Sequence, residues 1–315
     1  MSHYPFDLIP PEASEPIEDN SWLAKRPFVG KNYTFKEDAK NFIAGNELAD
    51  AMNTSIAVGK PLLLTGEPGT GKTQAAYYAA WQLKVECIHF QVKSDSTARD
   101  LLYNFDMVGY FRDAHVKNID LQKPSHNKTL LKRKYLEKRA LWQAIVLGKQ
   151  TNLPQVLLID EIDKAPRDFP NDLLHELDQM EFNIVEIGKT IKTSKNLRPI
   201  VFITSNSERR LPEPFLRRCV YHHIVFDDNI VKKAVYSRRN EFGNLSDEFL
   251  ALALKRFLAL RAENLRKLPA TSELLVWLRV LSLAFGKDHL QLEEDLSKLP
   301  YLSILLKDHQ DIKEI

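Results

Sequence analysis

The sequence predicts an α/β protein in which helices flank a parallel β-sheet and a small α-helical domain follows. Three observations carry this prediction. Short apolar runs alternate with helical patterns over about 200 residues, a glycine cluster follows the first apolar run, and strand patterns stop beyond about Asp228. In such folds, ligands gather at the carboxyl ends of the strands, which is where the functional residues are expected.

Each element is expected from hydrophobic periodicity and from flanking breakers. The strands are expected at 61–65, 85–92, 156–159 and 200–204, and the helices at 44–58, 73–83, 141–147, 170–180, 250–261 and 272–285. Thr271 is expected to cap the last helix at its N-terminus, and Gly286 stands where a left-handed stop would end it.

These elements divide the chain into three parts. Residues 1–35 are rich in proline and show little periodicity, which predicts an extended N-terminal arm. Residues 36–228 form the expected sheet-containing core, and residues 229–315 form the expected helical lid domain.

Composition limits the function classes. The 315 residues are 44% hydrophobic, so the chain is expected to fold, and 44 Lys and Arg against 42 Asp and Glu give a net charge of +2. That balance gives no indication of nucleic-acid binding. Cys87 and Cys219 lie far apart, which favours reduced thiols, and the absence of a signal peptide or an apolar span predicts a soluble, cytoplasmic protein with no membrane partner.

The clearest motif follows the first predicted strand. It consists of Gly66, Glu67, Pro68, Gly69, Thr70, Gly71, Lys72 and Thr73, which satisfy the P-loop pattern between a strand and a helix. In this pattern, backbone N–H groups and the helix N-terminus surround the phosphates, and a lysine adds a positive charge. Thr73 is the expected Mg²⁺ ligand from this loop.

A second motif places acids after the strand at 156–159. Asp160 suits the Mg²⁺ shell, and Glu161 is expected on the opposite side of the pleat, where it can take a proton from the attacking water as the catalytic base. Acidic pairs after strands also cap helices or face solvent, so the catalytic interpretation depends on the P-loop.

The residues of both motifs lie in a chain that resembles the AAA+ ATPases, and most closely their MoxR branch, over residues 40–285. The segment LLIDEIDKAPRDFPNDLLHELDQMEF resembles the Walker B region, and residues 182–199 resemble the hairpin insertion that follows it. The segment VFITSNSERRLPEPFLRRC resembles sensor 1 and the arginine-finger region. The resemblance implies an AAA+ P-loop core with a helical lid, and ATP as the nucleotide.

The resemblance also implies roles for residues outside the two motifs. Asn206 would position the lytic water, while Arg218, together with Arg217, would reach the γ-phosphate held by a neighbouring subunit. A homo-oligomer, expected as a hexamer, follows, as does a protein client; family members often act beside a von Willebrand factor A domain protein. An ordinary pair of surface arginines bound to carboxylates remains the other interpretation of Arg217 and Arg218.

One position departs from the family. Where a sensor 2 arginine often begins a lid helix, the segment LRKLPATSELLVWL places Glu273. Arg266, with Lys267 beside it, is the expected substitute at the nucleotide.

Two further features stay outside the predicted site. The basic run 131–139 is interpreted as a solvated helix face, with a pore lining as the other possibility. Four histidines, at positions 89, 175, 222 and 223, are interpreted as structural because they lack partners at metal-ligand spacing.

The leading functional hypothesis is therefore a Mg²⁺-dependent ATPase that works at the subunit interfaces of a ring and remodels or activates a partner protein. The alternative is an ATP-dependent assembly switch or scaffold with little hydrolysis, suggested by the missing sensor 2 arginine. A small-molecule P-loop kinase and a nucleic-acid motor are less favoured, since the first needs no acidic pair and the second finds no basic bias.

Overall fold

The computed structural model describes residues 34–116, 132–284, 292 and 294–315. The chain divides into two compact units, called here the sheet unit (residues 44–66 and 72–224) and the helical unit (residues up to 43, 67–71 and 225–315). The expected N-terminal arm lies outside the described residues apart from its last two. Leu131, Phe285 and Gly286 also lie outside them.

The described strands include the four that were predicted and five more. They are β1 (Leu62–Gly66), β2 (Cys87–Gln91), β3 (Tyr103–Phe105), β4 (Leu136–Lys138), β5 (Val156–Asp160), β6 (Glu181–Ile184), β7 (Lys189–Lys192), β8 (Ile200–Thr204) and β9 (Val220–Ile224). Within the described residues, five of them form a parallel sheet in the order β2-β5-β8-β1-β9. Because β5 lies between β2 and β8, the acids that follow it are flanked by the ends of both neighbours.

The described helices with four or more residues include five of the six predicted ones and several that were not predicted. They are α1 (Phe35–Asp38), α2 (Asn46–Val58), α3 (Lys72–Leu83), α4 (Ala98–Leu102), α5 (Met107–Val116), α6 (Ala140–Thr151), α7 (Phe169–Asp172), α8 (Leu174–Gln179), α9 (Glu213–Leu216), α10 (Asp228–Ser237), α11 (Asp247–Arg261), α12 (Thr271–Leu283) and α13 (His309–Glu314).

The burial of the central strands of the sheet unit explains why their sequences are continuous apolar runs. Every residue of β1 and of β5 is buried, as expected for parallel strands covered on both faces. Helix α3 packs here through small side chains, since Ala75, Ala76, Ala79 and Ala80 are all buried. Cys87 and Cys219 are free thiols, and burial raises the pKa of each to about 12.

Two hairpins extend the sheet unit. The hairpin expected within 182–199 is formed by β6 and β7, which pair antiparallel. A second hairpin, β3 with β4, was not predicted from the sequence. The interpretation of the basic run as a helix face holds for residues 132–134, which are helical, and is wrong for residues 136–138, which form β4.

The helix expected over 170–180 is also corrected. The chain forms the short helices α7 and α8 instead, separated at Leu173, whose side chain is buried. Met180 then takes a left-handed conformation with φ of 50°, which ends α8 and turns the chain into β6.

The helical unit has its own core, in which Trp277, Phe257 and Leu254 of α11 and α12 are buried. Four of its described helices carry side-chain caps at their N-termini. The capping residues are Thr34 for α1, Asp227 for α10, Ser246 for α11 and Asp308 for α13. The cap expected at Thr271 is wrong by one residue. Thr271 is already helical, and the Glu273 carboxylate reaches back to the Ala270 amide.

The segment before α2 also packs in the helical unit. Arg238 is buried, and its guanidinium donates to both carboxylate oxygens of Asp38, at 2.6 and 3.1 Å, and to Asn41 O. The sequence analysis assigned residues 36–43 to the sheet-containing core. It could not reveal their pairing with Arg238, because an ion pair across 200 positions leaves no local pattern. Among the described residues, no helix has both the length and the apolar character that a membrane crossing requires.

Candidate functional site

The glycine-rich loop connects β1 to α3, as its pattern predicts. Gly69 and Gly71 have φ of 77° and 94°, conformations that favour glycine. A Cβ on Gly69 would also collide with Ser272 and Ala270, and one on Gly71 would lie 2.8 Å from the Phe42 ring. Lys72 opens α3 and donates from Nζ to Gly66 O across 2.9 Å, so its ammonium stays at the loop.

Asp160 ends β5 and accepts hydrogen bonds from three side chains. Thr73 Oγ1 lies 2.9 Å from Asp160 Oδ1, Thr204 Oγ1 lies 2.5 Å from the same oxygen, and His89 Nε2 lies 3.2 Å from Oδ2. Burial opposes ionisation of Asp160, but the bonds from His89, Thr204 and Thr73 outweigh it and hold its pKa below the ordinary value. The carboxylate is therefore charged at neutral pH.

Thr73 and Asp160 form a donor set that fits Mg²⁺. A hydroxyl and a carboxylate in contact are the hard oxygen ligands that this ion uses, together with water and substrate phosphates. Among the described residues, no group of three or more His, Cys, Asp and Glu side chains could hold a metal by itself.

Glu161 comes directly after β5, and its backbone is left-handed, with φ of 60°. The expectation that the pleat sets its direction is therefore wrong, because a turn sets it. The backbone N–H of Glu161 donates to Thr204 Oγ1 across 2.8 Å. Its side chain accepts from Gln91 Nε2 at 2.6 Å and from Lys164 Nζ at 2.5 Å, both at Oε2.

Asn206 lies beside this carboxylate, close to where the sequence predicts it. Its Nδ2 is 3.5 Å from Glu161 Oε1, the oxygen that Gln91 and Lys164 leave open. Asp163 shapes the turn, since its Oδ2 accepts from Asn206 N and from Glu208 N at 3.0 Å each. The Asn206 amide thus donates a long hydrogen bond directly to Glu161 Oε1, which places the two groups side by side at the end of β5.

The two candidate finger arginines bind carboxylates of the same chain. Arg218 Nε lies 2.7 Å from Asp178 Oδ2, and its Nη1 donates to Pro214 O. Arg217 Nε lies 3.8 Å from Glu213 Oε2, and 82% of its side chain is exposed. Within the described residues neither arginine contacts Asp160, Glu161 or Asn206.

The expected substitute for the missing lid arginine does not touch the phosphate loop. Arg266 is exposed, and its backbone N–H donates to the buried carboxylate of Asp311. Glu273 caps α12, and its Oε2 lies 3.5 Å from the position that a Cβ on Gly69 would occupy. Within the part of the chain that the structure describes, the arginine that reaches the loop is Arg261, whose Nη2 lies 3.0 Å from Glu67 Oε2.

Several site residues escaped sequence analysis. Gln91 and Thr204 end the strands on either side of β5, and Gln91 pairs in register with Asp160. A strand-end position beside predicted acids was the signal that could have found them. His89 was interpreted as structural, yet it bridges Tyr77 OH at 3.1 Å and Asp160. His223, by contrast, contacts Thr65 Oγ1 within the sheet.

The glycine-rich loop and the acids after β5 lie in a part of the chain that is similar to known proteins. Residues 61–219, about half of the chain, match the family model described as AAA domain (dynein-related subfamily). The chain is also similar to a solved structure of a candidate ATPase from Cytophaga hutchinsonii, at 14% identity, with 89% of this chain and 82% of that chain covered and a TM-score of 0.42. No curated protein matches. The matched range includes the glycine-rich loop, the acids after β5, Asn206, Arg217 and Arg218.

Proposed function

Because the chain belongs to the AAA domain family, in its dynein-related subfamily, we propose that it binds Mg²⁺ and ATP and hydrolyses ATP to ADP and phosphate. The observation that carries the proposal is the contact of 2.9 Å between Thr73, which follows the P-loop lysine, and Asp160 at the end of β5. It joins the phosphate-binding motif to the acidic strand end, as Mg²⁺ coordination requires.

The reaction would proceed through residues of both motifs. The loop amides and Lys72 bind the phosphates, and Thr73 and Asp160 hold Mg²⁺, which neutralises charge on the phosphate oxygens when bound. Glu161 accepts a proton at Oε1 from a water that Asn206 orients. That water forms a bond to the γ-phosphorus while the bond to the β–γ bridging oxygen breaks, so ADP leaves with that oxygen.

We further propose that the active form is a ring, expected as a hexamer of MoxR-like type, in which Arg218 acts on the nucleotide of a neighbouring subunit. The exposure of both arginines supports this role, since 45% of the Arg218 side chain and 82% of the Arg217 side chain are accessible on the isolated chain. A single ion pair with a partly exposed carboxylate is weak enough for a neighbouring phosphate to replace. A protein client, such as a von Willebrand factor A domain protein, is the expected target of the motor.

One observation favours the alternative of an assembly switch with little hydrolysis. Lys164 and Gln91 both donate to Glu161 Oε2, so the proposed base is held by two side chains of its own subunit. A protein that keeps this arrangement would bind ATP and assemble, but would turn over slowly until a partner released Glu161.

Steady-state ATP hydrolysis measured against protein concentration separates the two. We expect turnover that rises steeply with concentration, disappears in Glu161→Gln, and is poisoned when Arg218→Ala is mixed with wild type. Turnover independent of concentration would refute the shared interfacial site. Tight ATP binding and assembly without turnover would favour the switch.

A further inference from the structure

A carboxylate stands within the phosphate loop itself. Glu67 directly follows Gly66, in a segment whose backbone amides are expected to surround a polyphosphate. An unpaired carboxylate at this position would repel the nucleotide, because like charges a few ångströms apart in a protein interact by more than thermal energy. The loop therefore needs a means of offsetting this charge.

Arg261, the last residue of α11, supplies it. Its Nη2 lies 3.0 Å from Glu67 Oε2, and only 10% of its side chain is exposed, against 46% for Glu67. The two groups form an ion pair within the helical unit, although 194 positions separate them in sequence.

The rest of the Arg261 guanidinium is fixed by the helical unit. Nη1 donates to Pro269 O, and the guanidinium carbon lies 3.6 Å from the centroid of the Phe226 ring, a stacked cation–π geometry. A group held by a carbonyl and a ring as well as by a carboxylate is pre-organised, unlike a mobile surface lysine. Its terminal nitrogens are directed at Pro269 and Glu67, so it is not aimed at a phosphate.

We propose that Arg261 is a positioning residue that neutralises Glu67, so that the loop can accept a polyphosphate, and that it acts through that carboxylate rather than by binding phosphate. This inference rests on the proposed nucleotide binding by the P-loop. The effect belongs to nucleotide affinity, because Glu67 and Arg261 are not among the groups that handle the attacking water.

A double-mutant cycle tests the inference in the full-length protein. The dissociation constant of a non-hydrolysable ATP analogue is measured for wild type, Glu67→Gln, Arg261→Gln and the double variant. We expect Arg261→Gln to weaken binding about tenfold, Glu67→Gln to tighten binding because the Arg261 charge is then no longer compensated, and the double variant to return close to wild type. Raising the ionic strength should reduce the difference in dissociation constant between Arg261→Gln and wild type, because salt screens the repulsion.

Two outcomes overturn the inference. A double variant that binds as weakly as Arg261→Gln would mean that the guanidinium binds phosphate directly, and an Arg261→Gln protein that binds like wild type would mean that the pair has only a structural role. Arg261→Lys keeps the charge and guards against misfolding of the glutamine variant. We expect its affinity within about threefold of wild type, and a tenfold loss there would equally contradict charge neutralisation.

The Arg279–Glu241 pair is the matched control. It lies in the same unit with a separation of 2.8 Å and an arginine of similar exposure, 18% against 10%, although its carboxylate is more buried, at 15% exposed against 46%, and it involves no loop residue. Glu241→Gln should leave analogue binding unchanged. A wild-type protein that binds no nucleotide at all would reject the proposed function, whereas wild-type binding with an unrestored double variant rejects only the role given to Arg261.

Discussion

Thr204 Oγ1 donates to Asp160 Oδ1 across 2.5 Å. The same hydroxyl oxygen accepts a hydrogen bond from the backbone N–H of Glu161. Thr204 therefore links both acids to the end of β8. Thr204 is buried, and the left-handed backbone of Glu161 depends on partners such as this one for its stability.

Removing this hydroxyl should impair turnover more than binding. In Thr204→Val, which keeps the shape of the side chain, the Glu161 amide loses its acceptor and Asp160 loses one donor. We expect kcat to fall at least tenfold with KM for ATP changed less than threefold, whereas Thr204→Ser should retain most of kcat. Equal losses in the valine and serine variants would contradict a role for the hydroxyl.

Lys164 offers a test of how the proposed base is restrained. Its hydrogen bond to Glu161 raises the pKa of the lysine, and the ammonium occupies Oε2. If the pair holds Glu161 back, Lys164→Ala should increase basal ATP turnover by about two- to fivefold, and should do nothing in a Glu161→Gln background. A loss of turnover would instead mean that the lysine helps to aim Oε1 at Asn206.

The lowered pKa of Asp160 gives a pH prediction. The folded protein favours the ionised carboxyl despite its burial, because His89, Thr204 and Thr73 donate to it. A depressed folded pKa contributes stability above the ordinary value of 3.8, and this contribution is lost as the pH falls below that value. The difference in free energy of unfolding between wild type and Asp160→Asn, measured by urea titration, should therefore be largest at neutral pH and shrink below about pH 4. A difference that grows on acidification would contradict the sign of the shift.

Local patterns and long-range pairing explain which features the sequence could predict. Patterns of a few residues are enough to predict the buried strands β1, β5 and β8 and the glycine-rich loop. The positions of these elements, and the proximity of Asp160 and Asn206, could therefore be predicted. The partners of those residues could not, since Thr204 reaches Glu161 from 43 positions away and Arg261 reaches Glu67 from 194. Such contacts depend on sheet order and helix packing, and neither leaves a periodic signal in one sequence.

The pairing of Asp38 with Arg238 gives the last prediction, on stability. Arg238 is 5% exposed and Asp38 22%, so loss of one partner leaves a largely buried charge without its counterion. We expect Asp38→Asn to lower the free energy of unfolding by about 1–3 kcal/mol in urea titration. Asp247→Asn is the matched control, because the Asp247 side chain, which pairs with Arg239, is 70% exposed. This substitution should lower the free energy of unfolding by less than about 1 kcal/mol. Equal effects of the two substitutions would mean that residues 34–43 are held to the helical unit mainly by other contacts.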